Sequence, residues 1–417
     1  MRIILAQAPA GRPEPPVFPL GLAFLAGQLK GHDIRAIDLA LHRDPAAALR
    51  RAVGSFDPDV IGFSLRNIDD SSYPITYSYF LPFGEVVRSL EDWNGTVVVG
   101  GTGFSIYPRQ VMQRAPRVDY GIVGEAELEF PGLMERIEKE TVPRRAGGTL
   151  LKAGHVDLSR LDSPAYEVFD IEPYRGKRYS VGVQSRRGCP MGCTYCTYGY
   201  LGGRAFRRRP IESVVDDIAT LERLGLASFA FVDSLFNEPR DYFHALLEAI
   251  AESGTELRWS CWIDESVTPA DLERMVEAGA RKVDFSPDAI TDRGSSLLGK
   301  RAGAGRLFPI VRQARKAGLF VGVNFFNNNP GEGLGALLRK LLFTLRARLL
   351  LGWRNTVVNI GTIRVYDHSK LAEEMRDQGL VEQDCDFFEP VFYSSPGPAD
   401  WLYRALSRLR RLRHGGG

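Results

Sequence analysis

Cys189, Cys193 and Cys196 fall within eight residues, in Gly188-Cys-Pro-Met-Gly-Cys-Thr-Tyr-Cys196. Thiolates spaced four and then three residues apart on one loop can converge on a single metal centre. A structural zinc site wants a fourth nearby cysteine or histidine. The next cysteine is Cys261, and the nearest downstream histidine, His244, sits in a helical pattern. With three protein ligands an iron–sulfur cube keeps one iron open to an external ligand. That open iron turns an electron-transfer centre into a catalytic one. Cys261 and Cys385 read as packing or idle, so the five cysteines divide as three plus two.

Further polar residues gather at expected strand ends. They are Asp233 and Ser234 in Phe231-Val-Asp-Ser-Leu-Phe-Asn237, Ser286 and Asp288 in Lys282-Val-Asp-Phe-Ser-Pro-Asp288, and Asn329 in Asn329-Pro-Gly-Glu332. Strand ends need turn residues in any case, so each segment taken singly is also explained by local geometry. Arg204, Arg207, Arg208 and Arg209 could hold a carboxylate or phosphate, or form a solvated loop before the helix that starts near Ile211.

These residues need elements to position them. The first third of the chain alternates apolar runs (Arg2–Ala6, Asp33–Asp38, Val60–Ser64, Thr96–Val99, Tyr120–Val123) with helical patterns such as Leu20–Leu29 and Pro45–Ser55. Such alternation predicts a parallel sheet with right-handed crossovers, whose ligands bind beyond the carboxyl ends of the strands. The loops to watch are Gln7–Phe18, Ser64–Tyr73, Gly100–Pro108 and Gly124–Glu127. A second alternation follows, with strands expected at Ser180–Gln184, Ser228–Val232, Leu257–Trp262, Lys282–Phe285, Leu319–Phe325 and Thr356–Thr362. Six β/α units suggest an open partial barrel with its chemistry at the C-terminal mouth. The expected divisions are a Rossmann-like α/β domain over 1–140, a linker over 141–178, the partial (β/α)6 barrel over 179–375 and a short C-terminal capping segment over 376–417.

Composition sets the outer limits. The 417 residues are 44% apolar and 25% charged, which excludes intrinsic disorder. Fifty-three basic and 51 acidic side chains leave a formal charge of +2, so composition gives no argument for a nucleic-acid or membrane-surface partner. No apolar stretch qualifies as a signal peptide or a spanning helix, and the chain reads as cytoplasmic. Leu337, Leu338, Leu341, Leu342 and Leu345 repeat at helical spacing, as on a core-facing helix. Trp401–His414, with leucines among five arginines, reads as a solvated amphipathic helix.

The Cys-x3-Cys-x2-Cys spacing, with Tyr195 before the third cysteine and the loop at the end of a barrel's first strand, resembles the radical S-adenosylmethionine (SAM) superfamily. In that family the open iron chelates SAM, and reductive cleavage gives a 5′-deoxyadenosyl radical. The resemblance implies contacts to SAM from Tyr195, Asp233, Ser234, Ser286, Asp288 and Asn329. The turn at Asn329 departs from the family's Gly-x-Pro-Gly-Glu-Thr in carrying Asn328 and Gly333, and Ser286 replaces a frequent glycine.

Pro19-Leu-Gly-Leu-Ala-Phe-Leu-Ala, Ser64-Leu-Arg66-Asn67, Gly100-Gly101-Thr102-Gly103 and Gly124-Glu125-Ala-Glu127 occur in this order. Over residues 1 to 375 the chain is similar to the cobalamin-dependent (B12-binding) radical SAM enzymes. The resemblance implies a cobalamin-binding first domain, with Ser64, Arg66, Asn67, Gly100, Gly101, Thr102, Gly103, Gly124 and Glu125 around the corrinoid. The Asp-x-His-x-x-Gly motif that ligates cobalt is missing: Asp38-Leu-Ala-Leu-His42 has other spacing, so no histidine ligand is expected. Arg66, Asn67 and Tyr73 lie on the loop that would cover the lower cobalt face.

The implied cofactors are a four-iron, four-sulfur cluster on Cys189, Cys193 and Cys196, SAM, and cobalamin. The implied activity is transfer of a methyl group from methylcobalamin to an unactivated carbon after hydrogen abstraction by the 5′-deoxyadenosyl radical. The alternative is a cobalamin-dependent cyclase or ring-rearranging enzyme without net methylation. Expected partners are a small-molecule or peptide substrate and an electron donor such as flavodoxin or ferredoxin, with no nucleic acid and no membrane.

Overall fold

The computed structural model describes every residue except 13, 142–146, 302–303, 353, 398–399 and 402–417. Arg144 and Arg145 of the expected linker, and the expected amphipathic tail past Trp401, lie outside the described residues. The chain forms two compact units, one of Met1–Asp70, Tyr77–Val183 and Arg207–Ala227, the other of Ser71–Thr76, Gln184–Phe206 and Ser228–Gly417.

The first unit alternates β1 (Arg2–Gln7), α1 (Leu20–Gln28), β2 (Asp33–Asp38), α2 (Pro45–Phe56), β3 (Val60–Ser64), α3 (Phe80–Arg88) and β4 (Thr96–Gly100). It continues through α4 (Thr102–Ile106), α5 (Pro108–Arg114), β5 (Tyr120–Val123), α6 (Ala126–Glu138) and β6 (Thr149–Lys152), and ends its second stretch on β7 (Gly182–Val183). The sheet order is β2-β1-β3-β4-β5-β6, with every pair parallel. Ile3, Ile4, Leu5 and Ala6 are wholly buried, as expected where helices cover both faces of a parallel sheet. Local chemistry sets the helix starts: Asp44 accepts from the Ala47 amide at 2.9 Å while Pro45 opens α2. β6 lies inside the span expected as a linker. Its register Tyr120↔Thr149 to Val123↔Lys152 makes it the sheet's edge strand.

In the second unit the cysteine loop runs through β8 (Arg186–Arg187) and α7 (Tyr198–Gly202), before the chain passes β9 (Arg207–Arg208) and α8 (Ile211–Arg223) of the first unit. There follow β10 (Ser228–Phe231), α9 (Arg240–Glu252), β11 (Arg258–Ile263), α10 (Pro269–Glu277), β12 (Ala280–Asp288), α11 (Asp292–Leu297), α12 (Leu307–Lys316), β13 (Phe320–Phe326), α13 (Leu334–Leu351) and β14 (Thr356–Gly361). Neighbouring strands from β10 to β14 pair in sequence order, all parallel, and each of the six expected barrel strands is present. β15 (Arg364–Val365), α14 (Lys370–Asp377) and β16 (Val391–Phe392) close the described chain, with β15 and β16 antiparallel. Phe387, Phe388 and Tyr393 are buried.

One sequence expectation is overturned. The leucine stripe of α13 faces outward: Leu338, Leu341, Leu342 and Leu345 are exposed, while Ala336, Lys340, Phe343 and Ala347 face inward. Helical periodicity identifies a stripe but not the side that packs, and two alanines allow the closer approach. Lys340 is accepted in the core because its ammonium pairs with buried Glu332 and donates to the Phe326 carbonyl at 2.6 Å. Among the described residues no helix is long and apolar enough to cross a membrane.

Candidate active site

The cysteine loop is fixed by backbone contacts before any side chain is considered. Cys189 N–H donates to the Gly203 carbonyl at 3.0 Å, Thr194 N–H to Leu298 at 3.1 Å, and Leu371 N–H to Thr194 at 2.8 Å. Gly188, at φ +82°, leaves no room for a Cβ beside the Ala205 carbonyl, and Gly299 leaves none beside that of Gly192. Ser234 hydroxyl donates to the Gly188 carbonyl at 2.7 Å, which ties the end of β10 to the loop. Tyr198 N–H reaches Cys196 Sγ at 3.4 Å.

All three cysteines are free, Cys189 buried and the others half-buried. Burial raises the Cys193 and Cys196 thiols, the latter to about 12, and each of the pair is raised further by the charges of the other cysteines. Without a metal these groups are thiols; a coordinating cation would convert them to thiolates. Among the described residues no three Cys, His, Asp or Glu side chains meet at a point able to hold one metal ion. A mononuclear ion needs such a point. A cube spreads its cysteine ligands over separate irons and needs only three of them from the protein when one iron is left open, which Cys189, Cys193 and Cys196 supply.

At the strand ends, Tyr195 hydroxyl donates to Asp288 Oδ2 at 2.5 Å and its ring meets Phe326 edge-on at 5.0 Å. Lys300 forms an ion pair with Asp288, donates to the Ser286 carbonyl at 2.9 Å and lies 5.8 Å from the Tyr195 ring centre. Burial opposes the Lys300 charge, but Asp288 and Cys193 outweigh it and hold the ammonium up at about 12. Lys300 thus joins Tyr195, Ser286 and Asp288, three residues singled out by sequence, and itself lies in no motif. Glu265, just past β11, is a second residue that sequence missed: its Oε1 is buried without a hydrogen-bond partner among the described residues, and burial raises its carboxyl.

Asn329 Nδ2 donates to the Asp288 carbonyl at 2.8 Å and to Glu332 Oε2 at 3.1 Å. Glu332 Oε1 in turn accepts from the amides of Ile290 and Thr291 at 2.9 and 3.2 Å. One carboxylate therefore ties the loop after β13 to the loop after β12. Asn329 Oδ1 and Thr194 Oγ1 are buried with no partner among the described residues. Such orphaned acceptors are the polar groups that a bound nucleotide and cluster would satisfy. Asp233 differs: its oxygens accept from Ser185 N–H and Oγ at 2.8 and 2.6 Å and face Arg186 at 3.5 Å, all fully buried. It positions the strand before the cysteines. Tyr73 packs on Phe392 at 5.1 Å, and His368 stacks on Tyr200 at 4.0 Å.

In the first unit a cavity opens beyond the ends of β1 and β3, where the strand order reverses direction, the usual ligand position in such sheets. Gln7, Glu14, Leu65, Arg66, Asn67 and Tyr79 are among its lining residues, and no histidine is. Arg66 is exposed and its guanidinium makes no hydrogen bond or ion pair among the described residues. Tyr79 hydroxyl donates to Glu14 at 2.5 Å, and Arg12 pairs with Asp70 at 3.1 Å. Ser64 ends β3, its carbonyl accepting from Ala8 N–H at 3.0 Å. His42 is exposed, outside the cavity lining.

The glycine-rich turn serves the protein's own backbone. A Cβ on Gly101 (φ +101°) would stand 2.8 Å from the Leu65 carbonyl oxygen, and one on Gly103 would stand 2.8 Å from the Asn67 carbonyl carbon. Gly103 N–H and Thr102 hydroxyl both donate to the Arg66 carbonyl, at 2.8 and 2.5 Å, and Leu65 N–H donates to Gly100 at 2.9 Å. The turn thus holds the loop that presents Arg66 and Asn67. Gly124 (φ +99°) passes close to the Ala153 carbonyl, while Glu125 accepts from Val156 N–H and Arg207 at 2.8 and 2.9 Å. Arg209 is buried against Asp217 at 2.5 Å with its guanidinium 5.0 Å from the Phe24 ring centre. These two arginines are committed inside the fold and form neither an anion site nor a solvated loop.

Residues 8–134 match the B12 binding domain and residues 183–338 the radical SAM superfamily. An uncharacterized methyltransferase of Pyrococcus horikoshii is 24% identical over 333 residues, covering 75% of this chain and 70% of the relative. The anaerobic magnesium-protoporphyrin IX monomethyl ester cyclase of Cereibacter sphaeroides is 23% identical over 389 residues, covering 86% of this chain but 60% of its own length. The radical SAM methyltransferase TsrM of Kitasatospora setae, solved with tryptophan substrate and a SAM analogue, shares the fold at TM-score 0.80 and 19% identity, over 98% of this chain and 88% of that one. The cofactors that accompany this domain pair are a 4Fe–4S cluster, SAM and cobalamin, and the cysteine loop, the orphaned acceptors and the Arg66 cavity fit them. With one cofactor domain following the other in a single chain, the protein is an enzyme of the cobalamin-dependent radical S-adenosylmethionine family.

Proposed function

We propose that this enzyme is a C-methyltransferase, moving a methyl group carried by cobalamin onto an unactivated carbon of a small molecule. The observation that carries the reading is the Arg66 cavity at the β1/β3 switch point, lined by a cationic side chain that makes no hydrogen bond or ion pair among the described residues. Arg66 and Asn67 would hold cobalamin at this switch point, and the cofactor would supply the methyl group there. When bound, the cluster and SAM supply the 5′-deoxyadenosyl radical that removes a hydrogen atom, and cobalamin supplies the methyl group.

The chain's own residues bind and orient. Cys189, Cys193 and Cys196 hold the cluster, Ser234 fixes the Gly188 carbonyl at its edge, and Asp233 aligns the preceding strand. Tyr195, Ser286 and Asp288, locked by Lys300, present one rim for SAM; Asn329 Oδ1 offers an acceptor from the next loop. Gly100, Gly101, Thr102 and Gly103 seat the Ser64–Asn67 loop against the corrinoid, with Gly124 and Glu125 supporting the adjacent turn. Tryptophan in TsrM supports a small-molecule substrate. A flavodoxin or ferredoxin is the expected electron donor.

The test uses anaerobically reconstituted protein, SAM labelled in its methyl group and a low-potential reductant. Methyl transfer yields S-adenosylhomocysteine together with deoxyadenosine. Deoxyadenosine formed with product but without S-adenosylhomocysteine would establish the cyclase alternative and refute methylation. Cys193→Ala is expected to lose cluster iron and all deoxyadenosine formation.

A further inference from the structure

Near neutrality of the whole chain conceals a segregated segment. From Arg293 to Tyr366 there are thirteen lysines and arginines and one acidic residue, Glu332, which is buried against Lys340. α12 and α13 lie within it and pack on each other. α12 has exposed Arg312 and Lys316 and no acidic side chain; α13 has exposed Arg339, Arg346 and Arg348 and none either. On α13, Leu334, Leu338, Leu341, Leu342, Leu345 and Leu349 are each 47% to 74% exposed. At 3.6 residues per turn these six fall within an arc of about 100°, opposite the inward Ala336, Lys340, Phe343 and Ala347. Arg339 and Arg346 flank the arc on one side and Arg348 on the other.

We infer that α13 is an interfacial helix that seats this enzyme on an anionic membrane surface. A leucine stripe bordered by arginines, on a helix too charged to span, inserts its apolar side chains at the headgroup boundary and pairs its cations with lipid phosphates. The other occupants fit less well. Two-fold pairing with a second copy would set like-charged helices together with no acidic partner on either. The chain's own residues 402–417 carry five arginines and no acidic residue, so they repel the same face. RNA would match the arginines but leave the leucines in water.

The test is flotation or co-sedimentation of the full chain with vesicles of pure phosphatidylcholine and of equal parts phosphatidylcholine and phosphatidylglycerol. At about fivefold per surface arginine, three arginines predict roughly a hundredfold preference for the anionic vesicles, weakened by salt. Leu338→Gln with Leu342→Gln and Leu345→Gln is expected to weaken binding by at least about tenfold. Because all three side chains are exposed, an unchanged thermal melt is the check that this variant folds. Equal binding to both vesicles, or none to either, overturns the inference. So does a dimer that the leucine variant dissociates, or tRNA that binds more tightly than the anionic vesicles.

Discussion

Replacing Lys300 by Met removes the cation of the Tyr195–Asp288–Lys300 group while keeping most of the aliphatic stem. The Lys300 side chain is 19% exposed and that of Asp288 only 3%. Stripping the partner from a buried ion pair costs about 3–5 kcal/mol when the remaining charge has no escape. Here Asp288 retains the Tyr195 hydroxyl at 2.5 Å and can take up a proton, which lowers the cost. The titration of Lys300 gives an independent figure. Burial opposes its charge, yet Asp288 and, once its thiol ionises at high pH, Cys193 lift it from 10.5 to about 12, so the rise is worth at most about 2 kcal/mol. K300M is therefore expected to lose about 2–4 kcal/mol in urea unfolding of the metal-free protein at neutral pH. The folded value lies above the unfolded one, so this stabilisation is complete below pH 10.5 and disappears as pH rises towards about 12. The double variant D288N/K300M, which leaves no buried charge, should recover part of the loss. A K300M protein within about 0.5 kcal/mol of wild type, or a double variant that loses the sum of both single costs, would refute the reasoning.

Asp271 accepts from Thr268 N–H at 2.7 Å, Arg240 at 2.7 Å and His244 at 2.8 Å, and these bonds overcome burial to hold its carboxyl down at about 2. D271N should cost about 1–2 kcal/mol at neutral pH, and the gap to wild type should close as pH falls from 3.8 to about 2; a constant gap would contradict the assignment. Gly103→Ala forces a Cβ against the Asn67 backbone at 2.8 Å, so it should lose about 1–3 kcal/mol and retain less cobalamin after gel filtration. Arg66→Ala should change the melting temperature little, since the side chain is exposed and makes no hydrogen bond or ion pair among the described residues, but weaken hydroxocobalamin binding in a spectrophotometric titration. Unaltered binding would move the corrinoid away from this cavity.

Buried strands were legible because a strand covered on both faces has to be apolar throughout, as in Ile3-Ile-Leu-Ala6 and Val97-Val-Val99. β6 escaped because Thr149-Leu-Leu-Lys152 alternates half-buried and exposed positions at a sheet edge, which leaves no apolar run. The cysteine loop was legible because ligation fixes spacing along the chain. Lys300 was not, since its role depends on how α11 returns the chain to Ser286 and Asp288. The arginine run at 207–209 read as solvated because nothing local reveals that Glu125 lies eighty-two residues upstream of Arg207, or that Asp217 closes on Arg209. The leucines of α13 gave the right element with its outer face taken for the inner one.

The residues singled out by sequence divide by what their polar atoms already hold. Asp233, Glu125, Gly101 and Gly103 are fully used by neighbouring loops, so their identities follow from the fold itself. Arg66, Thr194 Oγ1, Asn329 Oδ1 and Glu265 Oε1 are not: each is a polar group without a hydrogen bond among the described residues. A buried acceptor without a donor costs about 1–3 kcal/mol. Three of these four are buried acceptors on one unit, on the cysteine loop and past β11 and β13, which concentrates that cost where a ligand can repay it. Binding then restores the missing donors, and cofactor-loaded protein should resist unfolding by the amount that the cofactor's affinity for the folded state sets. The same reasoning sets Glu265 apart from the motif residues: it is a buried acceptor just past β11 that no sequence pattern accounts for.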